Sequence, residues 1–145
     1  MWRQEKGAEL IEFALVFPVL LMTVLGIIDF GFLFQKYQVV TNAAREGARV
    51  AVLPGYGDAD VQTRVNQFLA AGGLTDPGAT VTVGPAATVA VGAQCVAVRP
   101  VTVGYPHAFS FIGSILTYFG GSAIAATTLR VTAAMRDELP AAACP

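Results

Sequence analysis

The sequence predicts an α+β protein. A long N-terminal transmembrane helix continues into a small head with one short helix and a mainly antiparallel sheet of three to four strands. Three observations predict this. Residues 10–34 are apolar almost throughout. The following residues keep a helical period but become amphipathic, with Leu33, Tyr37, Val40, Ala44, Ala48 and Ala51 on one stripe and Gln35, Gln38, Asn42, Arg45 and Arg49 on the other. Beyond residue 78, β-branched residues alternate with small or polar ones between Gly and Pro breaks, the pattern of short strands.

The apolar run measures ~37 Å as a helix, enough to cross a hydrocarbon core of ~30 Å. Its polar interruptions are Glu12, Thr23 and Asp29, and its backbone interruptions are Pro18, Gly26 and Gly31. Pro18 removes an N–H and predicts a kink, which membrane helices tolerate. The glycines are places where a neighbouring helix can come close. An acid inside such a span costs on the order of 2.5–3.5 kcal/mol at mid-depth, so Glu12 requires a physical reason. Asp29 lies ~25 Å further along the axis, near the opposite interface. That position predicts a water-solvated acid, with an intersubunit ion pair as the other reading. Residues 8–54 read as one helix, closed by Pro54-Gly55.

A second, short helix follows, with Asp58 or Asp60 as its cap, Val61, Val65, Phe68 and Leu69 as its buried face, and Gly72-Gly73 as its stop. Residues 79–84 and 87–92 repeat one pattern, which suggests two strands joined by a turn. Residues 94–103 form a third strand, in which Pro100 implies an edge or a bulge. The fourth runs over residues 126–136, with Leu129, Val131, Ala133 and Met135 facing the core. Between the last two lies an apolar island, residues 108–121, holding Phe109, Phe111, Ile112, Ile115, Leu116, Tyr118 and Phe119. It reads as a second membrane helix, a short helix packed on the head, or an exposed patch suited to subunit contact.

The chain has 145 residues and a formal net charge of −1. That length leaves room for one small head, and that charge makes no field for nucleic acid. His107, in a loop after Pro106, is the only histidine, and no Cys/His set has metal-ligand spacing. No phosphate loop, dinucleotide fingerprint or Gly-x-Ser-x-Gly elbow occurs. The residues therefore point away from an enzyme and imply no cofactor and no metal.

The segment Gly7-Ala8-Glu9-Leu10-Ile11-Glu12-Phe13 resembles a type IV prepilin processing site. With Gly26-Ile27-Ile28-Asp29-Phe30-Gly31 and Thr41-Asn42-Ala43-Ala44-Arg45-Glu46-Gly47-Ala48-Arg49, it is similar to the TadE-like pseudopilins of tight-adherence (Flp, type IVc) pilus systems. The resemblance covers residues 7–49 and is loose past Leu53. It implies a leader over residues 1–7, cleavage after Gly7 by a prepilin peptidase, Ala8 as the new N-terminus, Glu12 as the fifth mature residue and Phe13 at an aromatic position of this branch. It implies a membrane-spanning helix with its periplasmic extension over residues 8–54 and a pilin-like head over 55–145. The implied place is the inner membrane, single-pass, with the head in the periplasm or outside. Its implied partners are other pilin and pseudopilin subunits, an inner-membrane assembly platform and the lipid bilayer.

Within that reading, Glu12 neutralises the amine of Ala8 one helical turn away, or that of an adjacent subunit; the resemblance favours the second. Another reading keeps Glu12 in the headgroup zone or protonated. Asp29, Arg45, Glu46 and Arg49 are the other assembly candidates, although the three charges at 45, 46 and 49 read most simply as a solvated face. An oxidising periplasm lets Cys95 and Cys144 pair, closing a loop worth roughly 4 kcal/mol in the chain-entropy model, and two unrelated thiols are the alternative. The head exceeds that of a major pilin in this branch, which implies a minor component that primes, caps or regulates assembly. A removed signal peptide, an uncleaved signal anchor, and an anchored binding or scaffold module that never polymerises are the competing readings.

Overall fold

The computed structural model describes residues 2–91, 94–118, 126–137 and 142–143. The first helix, α1, is Trp2–Ala51 and runs unbroken through Pro18. It stops before the expected Pro54-Gly55, because the chain tightens one turn earlier: the Leu53 N–H donates to the Val50 carbonyl at 3.1 Å. Gly55 then takes φ 87, a left-handed turn that suits glycine.

The chain forms two compact units, Met1–Phe34 with Ala108–Ala126, and Gln35–His107 with Thr127–Pro145. The second unit contains the last part of α1, helix α2 (Asp58–Ala71) and the strands β1 (Thr80–Val83), β2 (Ala87–Val91), β3 (Gln94–Ala108), β4 (Ala126–Arg136) and β5 (Ala142–Ala143). The first unit contains the start of α1 and the seven-residue helix α3 (Ile112–Tyr118).

The N-cap of α2 is Gly57 rather than either aspartate. Asp60 sits at the third helical position and its carboxylate accepts the Gly57 N–H at 2.8 Å, one half of a capping box. Val61, Val65 and Leu69 are buried, whereas Phe68 is 36% exposed. Those three form a single i, i+4, i+8 row, and Phe68 lies on its flank. Gly72 ends the helix where an added Cβ would collide with Val39, and Gly73 follows with φ 76.

Every strand pairs with β3. β1 runs antiparallel along its C-terminal half, with Thr80 opposite Gly104 and Val83 opposite Val101. β2 runs antiparallel along the N-terminal half, with Ala87 opposite Val98 and Val91 opposite Gln94. The expected hairpin between β1 and β2 is therefore replaced by two separate pairings with a shared partner. Pro100 lies at the junction of these ladders, and its carbonyl accepts the Gly84 N–H at 2.8 Å. β3 also extends past Val103 to Ala108, so His107 is a buried strand residue, 3% exposed, and not a loop residue. In β4, Leu129, Val131, Ala133 and Met135 are half-buried and alternate with exposed neighbours.

The core of this unit gathers Val40, Ala43, Ala44 and Ala48 of α1, Val61, Val65 and Leu69 of α2, and Val101, Val103 and Tyr105 of β3. Tyr37 belongs to the same helical stripe but remains 44% exposed. Periodicity sets the side on which a residue lies, not how far along the helix its cover extends. At Gly47 a Cβ would come within 2.5 Å of Val65 Cγ2 and 3.2 Å of Val101 Cγ1. One added carbon must push α2 or β3 away. Gly47→Ala is expected to destabilise the protein by about 1–3 kcal/mol, whereas Arg45→Ala on the exposed side stays within about 0.5 kcal/mol. Denaturant unfolding of the detergent-solubilised chain, followed by circular dichroism, measures both.

Candidate functional site

The residues singled out in the sequence fall at three levels of α1. The first is the N-terminal stretch. Gly7 stands clear, with nothing within 4 Å of an added Cβ. Ala8 and Glu12 are exposed, and Phe13 is 61% exposed with its ring 5.3 Å from that of Phe17. Leu10, Leu15, Val19 and Ile27 are each more than three-fifths exposed. Gly7–Ala51 is long and apolar enough to cross a membrane, and none of its most apolar window is buried. An apolar surface this large calls for lipid or protein around it.

The second level is Asp29. It is not the solvated acid expected from its position, being 1% exposed. Its carboxylate accepts the backbone N–H groups of Ser110 at 3.1 Å, Phe111 at 2.9 Å and Ile112 at 2.7 Å. The opening turn of any helix leaves N–H groups without a partner, and Asp29 meets that demand for α3 from another part of the chain. Phe109 packs its ring 6.1 Å from Phe30, and Gly26 lets Ile112 lie against the helix. The island expected on the head or as a loose patch thus belongs to the first unit.

The third level is Glu46. Arg49 donates to it from Nε at 3.0 Å and Nη2 at 2.7 Å, and Arg64 of α2 donates from Nε at 3.0 Å. The expected solvated face is here an ordered fork, because the carboxylate is 18% exposed while both arginines remain about half exposed. The hydrogen bond from Arg49, aided by Arg64 and opposed by burial, lowers the Glu46 pKa from 4.5 to about 2. Arg45 is exposed beside it. Arg64 had no signal in the local sequence, since it lies 18 positions away. The same holds for Arg99, which donates to the Asp58 carboxylate at 2.6 Å and to the Ala51 carbonyl at the end of α1 at 3.3 Å.

Arg49, Arg99, Arg136 and Tyr56 line an open cavity of about 640 Å³. Two of its guanidiniums are already engaged by Glu46 and Asp58, so its charge is largely spent within the fold. Among the described residues, no group of three His, Cys, Asp or Glu side chains could hold a metal ion. Cys95 is buried and disulfide-bonded, and Cys144 lies outside the described residues.

The family model described as TadE-like protein matches residues 7–49 of this chain. That span includes all three levels, and over it the chain is similar to TadE-like proteins. No curated protein matches the chain, and no solved structure does.

The Glu46 fork has a pH signature. A carboxyl held at about 2 when folded and 4.5 when free adds stability that is fully present above pH ~5 and is lost as pH falls through about 2. Because both arginines are half exposed, the contribution is about 1 kcal/mol. Glu46→Gln is expected to lower stability by that amount at pH 7 and to converge with the parent protein near pH 2. Unfolding curves taken across this range read the difference.

Proposed function

We propose that this TadE-like chain is a minor pseudopilin that primes, caps or regulates assembly of a tight-adherence pilus. The observation that carries the reading is the family match over residues 7–49, with Gly7 and Glu12 both standing exposed on the helix it covers. In this role the chain is a substrate and a subunit, not a catalyst. A prepilin peptidase cuts after Gly7, where the absence of a side chain leaves the scissile bond uncrowded. The mature chain begins at Ala8 and is held in the inner membrane by α1, with its head on the periplasmic side.

Cleavage leaves a positive amine on Ala8, one helical turn from Glu12. When two subunits come together in lipid, the amine of one and the Glu12 carboxylate of the other relieve each other's desolvation cost. That pairing holds only at one axial offset, so it fixes register between neighbouring helices. Long exposed side chains such as Leu10, Phe17 and Leu20 supply the contact area around it. The partners on this reading are other pilins, pseudopilins and the assembly platform in the same membrane.

The first test is the N-terminus of membrane-extracted protein. It should begin at Ala8, and Gly7→Phe should leave Met1 in place. A native chain that keeps Met1 removes the pilus reading and leaves an anchored module that does not polymerise. The second test separates anchoring from assembly. Glu12→Leu should insert at parental levels in the membrane fraction, yet recover much less of the partner pilins on cross-linking and assemble fewer fibres. Unchanged fibre number in that variant overturns the role of Glu12.

A further inference from the structure

The first compact unit contains an element that anchoring by one helix does not explain. We infer that residues 109–117 form an interfacial membrane element, seated at the headgroup–acyl boundary of the leaflet distal to the leader and held there by Asp29. This inference rests on the membrane reading of α1.

The depth follows from α1. A hydrocarbon core of ~30 Å takes about twenty helical residues, so a span entered at Leu10 leaves close to Asp29. Ile27, Ile28 and Phe30, on the same turns, are 68%, 41% and 60% exposed, as side chains facing lipid would be. Anything packed on Gly26, Asp29 and Phe30 therefore meets the lipid boundary too. Ile112, the 110–112 backbone and Phe109 are packed there.

Backbone polar groups at that depth need partners from protein. Asp29 takes the N–H groups of residues 110, 111 and 112, and the Ile115 N–H reaches the Phe111 carbonyl at 3.1 Å. Two of its hydroxyls are also satisfied locally: Ser114 donates to the Ser110 carbonyl at 2.8 Å and Thr117 to the Gly113 carbonyl at 2.6 Å. Thr23 on α1 does the same with the Val19 carbonyl at 2.9 Å. Phe111 points its ring outward at 39% exposure, while Ser110, Ser114 and Thr117 keep a mildly polar outer face. A short element with an aromatic anchor and no net charge suits the boundary zone rather than the bilayer centre. The ligand is thus a lipid surface, recognised through its acyl chains.

Fluorescence quenching in vesicles tests this with the full chain. The only tryptophan, Trp2, is first replaced by Phe. Phe111→Trp and Leu20→Trp are then made separately in that background and reconstituted into phosphatidylcholine vesicles. Lipids brominated near the headgroup end of the acyl chain should quench Phe111→Trp more than lipids brominated near the methyl end, and Leu20→Trp should show the reverse order. Adding Asp29→Ala should abolish the shallow quenching of Phe111→Trp and open it to aqueous acrylamide. Quenching of Leu20→Trp alone, with Phe111→Trp accessible to acrylamide, overturns the inference and leaves the anchor standing. Shielding of Phe111→Trp from both acrylamide and bromolipid also overturns it, since protein then covers the site. If Leu20→Trp is not quenched at all, the membrane reading itself fails.

Discussion

Along residues 43, 44, 47 and 48, α1 carries nothing larger than a methyl group, and the head depends on that. Ala43, Ala44 and Ala48 are fully buried, and Gly47 lies so close to Val65 and Val101 that no Cβ fits without movement. Close-packed interiors tolerate little excess volume, so the seam sets how near α2 and β3 can come to α1. Valines then fill the remaining space from three directions. The first part of the same helix is built the opposite way. Its Leu, Ile and Phe side chains are long and largely exposed, which suits an environment that supplies the other half of the packing. One continuous helix thus changes partner by changing side-chain size, with no break in its backbone.

Three acids of α1 sort by what answers them. Glu46 is held by two guanidiniums, and Asp29 by three backbone N–H groups. Both sets of donors include groups from distant sequence, so each acid also ties two segments together. Glu12 stands exposed near the chain start, within a long apolar surface. In a protein that supplies Asp29 and Glu46 with several donors each, the proposed encounter of Glu12 with a newly made amine follows the same physical rule. The donor simply comes from a second molecule.

The fold class was legible because its signals are local. An unbroken apolar run gives α1, a Gly pair stops α2, and alternation of Leu129, Val131, Ala133 and Met135 gives β4. What stayed hidden depends on long-range pairing. The repeat at residues 79–92 reads as a hairpin, yet both copies find a better partner in the long β3, with Pro100 dividing that strand between them. Asp29 reads as wet because its depth is visible in sequence and its partners are not: Ser110, Phe111 and Ile112 lie about eighty positions away. Arg64 and Arg99 escaped for the same reason. No periodicity or spacing marks a guanidinium whose acid lies on another element.

The sheet is unevenly supported. β1 places Val81 and Val83 against the core, but all five residues of β2 are exposed. In the N-terminal half of β3, which pairs with β2, Cys95 and Val96 are nevertheless buried. Cys95 lies in this half, opposite Ala90 of β2 and Ala142 of β5, and its sulfur is bonded. A covalent bond at Cys95 thus adds to burial in this half of β3, much as very small domains rely on cross-links to supplement a small interior. The sheet is accordingly held in two ways, by the burial of its side chains and by a bond that only reduction breaks.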